Sequence, residues 1–240
     1  MSSTIQIISI EGNIGSGKST LLANLKKHFA KETNIIFLKE PVDEWCNIKD
    51  ENGVTILEKF YIDQNKYAFS FQMMAYISRL KLLKDTITEI KNKQYKDKNC
   101  VNYFVITERS LYTDKMVFAK MLYDSGKIEN INYQIYLNWF NAFAGDFHVN
   151  KIIYVRTQPE ICHQRISIRS RDGEHNIPLD YLKSCDVYHE VMLDKNSNEC
   201  ICKNQLILDG NHNIYENEEI LNKWIKKIEN IIYQHLLYEK

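Results

Sequence analysis

An apolar run, Ile5–Ile10 (IQIISI), leads into Gly12-Asn13-Ile14-Gly15-Ser16-Gly17-Lys18-Ser19-Thr20, and an amphipathic stretch, Lys18–Phe29, follows. The spacing is G-x-x-x-x-G-K-[ST], the pattern of a loop that cradles phosphate. A strand entering and a helix leaving bring successive backbone N–H groups and a helix N-terminus onto one anion. Gly12, Gly15 and Gly17 permit close backbone approach, Lys18 reaches the β- and γ-phosphates, and the Ser19 hydroxyl is a ligand for Mg²⁺. Three of the chain's eight glycines fall in this loop. The loop predicts nucleoside-triphosphate binding, and by itself it does not separate kinases from switches or motors.

Outward from the loop, strand and helix patterns alternate. Short β-branched runs lie at Ile5–Ile10, Ile35–Leu38, Tyr103–Thr107, Ile152–Val155 and Gln205–Leu208, nearly continuous in apolar character, as strands covered on both faces are. Helical patterns occupy Lys18–Phe29, a long stretch around Ala68–Lys91, Tyr112–Tyr123, Tyr133–Phe143, Pro159–Ile168, Leu179–Leu193 and Glu216–Leu237. This predicts an α/β fold, a central five-stranded parallel sheet flanked by helices, with ligands at the carboxyl ends of the strands. No repeat, linker or charge block interrupts the 240 residues, so a single domain over 1–240 is expected.

Hydrophobic residues at 44% and charged residues at 26%, with only 3 Pro, exclude collagen-like and low-complexity classes. Lys+Arg 31 balance Asp+Glu 31, so no global field favours nucleic acid or an anionic membrane, and a small ligand is expected instead. No window reaches the roughly 18 consecutive apolar residues of a membrane span. The six cysteines (Cys46, Cys100, Cys162, Cys185, Cys200 and Cys202) are scattered, which predicts reduced thiols and a cytoplasmic setting. Cys200 and Cys202 lack the histidine or second pair of a zinc site. The opening MSSTIQIISIEG has no basic n-region, so neither a secretory signal nor an organellar presequence is expected.

Polar chemistry recurs at the strand ends. Glu40-Pro41-Val42-Asp43-Glu44-Trp45 follows the second strand. A carboxylate there can take a proton from a hydroxyl facing the γ-phosphate, and Trp45 can wall a flat ligand, although Glu before Pro is also an ordinary solvated turn. The third strand ends in Glu108-Arg109-Ser110, where the acid can hold Mg²⁺ through water and the guanidinium can bridge Glu40 and phosphate, or the two can form a plain ion pair. Arg165, Arg169 and Arg171 crowd a helix end beside Asp172-Gly173-Glu174, as a closing lid requires and as a solvated basic face would also show. On the long helix, Gln72, Ala75 and Arg79 share a face by their i, i+3, i+7 spacing. A buried Gln72 can pair with a nucleobase edge, and Arg79 beside an acid such as Asp114 would hold it as an acceptor for an exocyclic amine.

GNIGSGKST, EPVDEW, FQMMAYISR, ERSLYTD and RISIRSRDGE…IPLDYL, in this order, resemble the deoxyribonucleoside kinase family, and within it the deoxycytidine/deoxyguanosine/deoxyadenosine kinase branch. The resemblance implies a P-loop kinase three-layer sandwich with a short arginine-rich lid near 165–176. It also implies transfer of the γ-phosphoryl of ATP, or a similar triphosphate, to the 5′-hydroxyl of a deoxynucleoside, with Mg²⁺, in a homodimer. By it Glu40 is the general base, Arg109 its phosphate-bridging partner, Ser19 and Glu108 the Mg²⁺ site, and Arg165, Arg169 and Arg171 the lid. Gln72 and Asp114 become readers of the base, with Arg79 orienting Asp114. Tyr61 and Glu174 hold the sugar 3′-hydroxyl, and Trp45, Phe71 and Phe118 wall the nucleoside slot. Thymidine-accepting members lack the Arg/Asp pair, so the branch implies deoxycytidine or a purine deoxynucleoside over thymidine.

Residues 194–204 depart from the family, and the turn Gly210–Ile214 lacks the acid and aromatic that some members place beside the donor base, which leaves the donor open. Other classes make different demands. A nucleoside-monophosphate kinase must also cradle an acceptor phosphate, and a non-catalytic nucleotide-binding regulator would be expected to lose Glu40 or the lid arginines. Motors carry a strand ending in Asp-Glu and guanine-reading switches an Asn-Lys-x-Asp, neither of which is found here.

Overall fold

The structure, a computed structural model, describes residues 4–97, 101–169, 174, 177–214 and 217–237. The strands are β1 (Ile5–Glu11), β2 (Ile35–Leu38), β3 (Tyr103–Glu108), β4 (Lys151–Arg156) and β5 (Gln205–Asp209), all parallel in the order β2-β3-β1-β4-β5. The helices are α1 (Lys18–His28), α2 (Val42–Trp45), α3 (Ile56–Ile62), α4 (Gln64–Asp97), α5 (Leu111–Thr113), α6 (Lys120–Asp124), α7 (Asn130–Phe143), α8 (Pro159–Arg169), α9 (Leu179–Leu193) and α10 (Glu218–Leu237). A π-helical segment, Asp114–Ala119, joins α5 to α6.

Period-2 alternation along the strands assigns each helix to a face. Ile8 and Ile10 of β1, with Ile106, Ile153 and Val155, pack on Leu21 and Leu25 of α1 and on Trp224 and Ile228 of α10. Their neighbours turn the other way: Ile7 and Val105 meet Tyr76 and Leu83 of α4 and Tyr136 and Phe140 of α7. On the same side Ile152 and Tyr154 meet the π segment and α9 through Val117, Cys185 and Met192. The α/β class, the parallel sheet and its five strands are those expected, because apolar runs covered on both faces leave little choice of element.

Several helices differ from the sequence expectation: α2 was not anticipated, and α7 begins at Asn130 rather than Tyr133. The long helix covers 34 residues rather than Ala68–Lys91. α3 was not anticipated, since seven residues are too few to show a period. A capping box starts it, with Glu58 N–H donating to Thr55 Oγ1 at 3.2 Å and the Glu58 carboxylate accepting from Thr55 N–H at 2.8 Å. The expected helix Tyr112–Tyr123 is broken into α5, the π segment and α6, and the wider π turn shifts the direction of the side chains that follow. Of the lid expected near 165–176, residues 170–173, 175 and 176, and with them Arg171, lie outside the described residues. Among the described residues, no helix is long and apolar enough to cross a membrane.

Candidate active site

The phosphate loop joins β1 to α1 at the carboxyl edge of the sheet. Gly12 and Gly15 have φ of 143° and 80°. A Cβ at these positions would lie 2.5 Å from the Val155 carbonyl oxygen and 2.6 Å from that of Cys162, so only glycine fits. Lys18 is buried, and its Nζ donates to the Asn13 carbonyl at 2.6 Å. Burial, and then the charge of Arg109, brings the Lys18 ammonium down to about 7. An anionic group in the loop would favour its charged form again. Ser19 Oγ donates to Glu108 Oε1 at 2.5 Å, while Glu108 Oε2 is buried with no hydrogen-bond partner among the described residues.

Behind the loop sits an acid–arginine cluster. Arg79, on α4, donates through Nε to Asp114 Oδ2 at 2.9 Å, through Nη2 to Asp114 Oδ1 at 3.3 Å and to Glu40 Oε1 at 2.8 Å, and through Nη1 to the Glu108 carbonyl at 2.7 Å. Arg109 Nε lies 3.3 Å from Glu40 Oε1, and its Nη1 donates to the Gly12 carbonyl at 2.8 Å. Arg109 adopts φ of 64°, the left-handed region, on the turn after β3. Burial raises the Glu40 carboxyl, but Arg109, Arg79 and Lys18 outweigh burial and bring it down to about 2. At Asp114 burial raises the carboxyl and the Arg79 charge opposes it.

A cavity of about 420 Å³, within the range of small-ligand sites, runs along this edge. Residues 14–20 line it at the phosphate loop, with Glu40, Glu108 and Arg109 beside them. Trp45, Tyr61, Phe71, Gln72, Ala75, Asp114, Phe118 and Glu174 also line it, as do Arg165, Arg169, Gly210, His212, Asn213 and Trp224. Trp45 Nε1–H donates to Ser78 Oγ at 2.9 Å, and its ring meets Phe71 edge-on at 5.5 Å, while Phe71 stacks on Phe60 at 4.6 Å. Gln72 is 2% exposed, and its Oε1 has no partner among the described residues. Gly12, Asn13 and Arg79 stand behind the cavity wall rather than in it. Arg165 is tied to the carbonyls of Ser16, Gly210 and His212, and Arg169 is ion-paired with Glu174.

Sequence reasoning did not find Leu57 and Phe60 of α3, Tyr181 of α9, Trp224 of α10, or His189, which lies 3.3 Å from Arg109. A signal for His189 existed. It interrupts the spacing of Leu182, Cys185 and Met192 along one helix face, where a fourth apolar residue would be ordinary.

A phosphate cradle opening into an apolar slot, with an ionised carboxylate between them, places the protein among the P-loop phosphotransferases. Comparison with known proteins narrows the class: the chain belongs to the deoxynucleoside kinase family, whose profile matches residues 8–233. It is 33% identical to deoxycytidine kinase 2 of Gallus gallus over 239 residues, covering 91% of this chain and 86% of that protein. It is 32% identical to deoxycytidine kinase of Homo sapiens over 205 residues, covering 79% and 75%. Mitochondrial thymidine kinase 2 of Macaca fascicularis is 30% identical over 210 residues, covering 87% and 72%. The chain is thus an enzyme, a deoxynucleoside kinase of the deoxycytidine kinase branch that uses a nucleotide phosphoryl donor.

Proposed function

We propose that residues 1–240 act as one kinase domain that transfers the γ-phosphoryl of ATP, or of another nucleoside triphosphate, to the 5′-hydroxyl of deoxycytidine or a purine deoxynucleoside. Thymidine is the poorest acceptor, and the role is salvage of DNA precursors. In this reading the loop from Gly12 to Thr20 binds the triphosphate, with Arg165, Arg169 and Arg171 closing over it. Glu40 takes the hydroxyl proton and Arg109 bridges Glu40 to the phosphoryl group. Trp45, Phe71, Ala75 and Phe118 hold the base, and Tyr61 and Glu174 the sugar. Ser19 and Glu108 suit Mg²⁺, because a hydroxyl and a buried carboxylate with one unmatched oxygen are hard oxygen donors. When bound, the ion neutralises charge on the β- and γ-phosphates.

The observation that carries the acceptor choice is the two-pronged contact of Arg79 with Asp114, which lines the cavity as Gln72 does. A guanidinium only donates, so the contact suits an ionised Asp114, which can then only accept. Cytosine and the purines offer an exocyclic amine, whereas thymine presents a carbonyl where cytosine has its amine, and two opposed acceptors in a dry slot cost about 1–3 kcal/mol. Relatives named for deoxycytidine and for thymidine are similarly distant, so the discrimination rests on this pair. Competition among the four deoxynucleosides with Mg-ATP is the test: thymidine should show the lowest kcat/KM, and Arg79→Met with Asp114→Ala should raise it. Because burial raises the Asp114 carboxyl, lowering the pH supplies a donor at that position. The thymidine-to-deoxycytidine ratio should therefore rise as pH falls. Thymidine as the best acceptor at neutral pH refutes the reading of the pair.

Homodimerisation belongs to the same proposal. α7 presents Ile131, Ile135, Trp139 and Phe143 at four-residue spacing, and all four are exposed, an apolar stripe that a second copy would cover. Sedimentation should give a dimer that Trp139→Glu dissociates, and a monomeric parent protein refutes it. The cytoplasm is the proposed compartment, a reading supported by free thiols at Cys46, Cys162, Cys185, Cys200 and Cys202.

A further inference from the structure

His189 is fully buried on the inner face of α9, and both ring nitrogens have partners of opposite kind. Nδ1 lies 2.7 Å from the Cys185 carbonyl, which can only accept, so Nδ1 carries the proton. Nε2 then presents a lone pair, 3.3 Å from Arg109 Nη1, which can only donate. The two contacts select one neutral tautomer. Phe118 meets the His189 ring edge-on at 6.3 Å and lies 4.9 Å from the Arg109 guanidinium, so the three groups form one packed unit. Burial, and then the Arg109 charge, keeps the imidazole well below its ordinary pKa, consistent with a neutral ring beside a cation.

We propose that His189 is a positioning residue for phosphoryl transfer: its neutral Nε2 accepts from Arg109 and aims that guanidinium at Glu40 and the phosphate loop. The proposal rests on the assignment of Arg109 to the phosphoryl group. Without Nε2, a charged donor buried in the site has no acceptor in that direction, and the guanidinium loses one of the contacts that hold it beside Glu40.

Two substitutions separate the nitrogens. In His189→Gln the side-chain oxygen reaches the place of Nε2 and accepts from Arg109, leaving only a helix carbonyl that the backbone already satisfies. In His189→Asn the amide nitrogen replaces Nδ1, keeps the Cys185 contact and stops short of Arg109. Steady-state kinetics should show kcat falling at least about tenfold in the Asn variant with deoxynucleoside KM nearly unchanged, and recovering to within about threefold of the parent in the Gln variant. In an Arg109→Lys background, His189→Asn should add almost nothing. Equal losses in Asn and Gln, a larger loss in Gln, additive losses with Arg109→Lys, or kcat losses that follow Tm across both variants would overturn the proposal. Should the Asn variant fail to fold, the Gln variant decides: near-normal kcat supports the proposal and a tenfold loss in folded protein overturns it. Full activity in Arg109→Lys alone would instead remove the assignment of Arg109, whereas a slow Arg109→Lys beside a normal His189→Asn removes only the role of His189.

Discussion

Glu40→Gln should lower kcat by roughly 10²–10⁴ while leaving deoxynucleoside binding nearly intact. Gln keeps the size and an acceptor oxygen for Arg79 and Arg109 but cannot take the hydroxyl proton. Held down to about 2 by Arg109, Arg79 and Lys18 against the upward push of burial, Glu40 stays ionised through the ordinary assay range. The parent's kcat should therefore show no acid limb from this group in mildly acidic buffer. So weak a base serves where the proton leaves late, as it does in a loose phosphoryl-transfer transition state, and position then matters more than basicity. The sign for stability is that of a depressed acid. The ionised carboxylate stabilises the fold above its ordinary 4.5, and the contribution is lost as pH falls toward 2. Stopped-flow and steady-state turnover of the Gln variant are the check, and near-normal kcat would sink the assignment.

The second large effect belongs to Lys18. Lys18→Ala should reduce kcat/KM for ATP by roughly 10²–10³, the scale seen when one preorganised donor is removed from developing charge. Lys18 sits within the turn of the loop, its ammonium on the Asn13 carbonyl, whereas the base-reading side chains Gln72 and Asp114 come from α4 and the π segment. Deoxynucleoside affinity should therefore stay within about twofold. Calorimetric titrations with ATP and with deoxynucleoside, run on the same variant, separate the two. Survival of both ATP binding and turnover would remove the loop from the mechanism.

The strand ends were legible because buried parallel strands are written as short, unbroken apolar runs, and all five fall within one residue of their expected limits at each end. The phosphate loop was legible for a related reason: its function lies in the backbone of consecutive residues, which a local pattern can encode. α3 was hidden although it carries Leu57, Phe60 and Tyr61, because its seven residues announce themselves only through the Thr55–Glu58 cap. The π segment was hidden too, since a helical period cannot register one turn of different pitch.

By itself the sequence determined the α/β class, the phosphate loop, the shared face of Gln72, Ala75 and Arg79, and the carboxylates at the strand ends. Each of these follows from spacing within a single element. Only the tertiary structure decided that Arg79 grips Glu40 as well as Asp114, that Arg165 is anchored on three carbonyls, and that His189 stands against Arg109. Those contacts join residues separated by 39 positions for Arg79–Glu40 and by 80 for Arg109–His189. No local periodicity carries such information: the sheet order brings the carboxyl ends of β1, β2 and β3 to one edge, α4 and α9 pack over it, and charges excluded from water there must find one another.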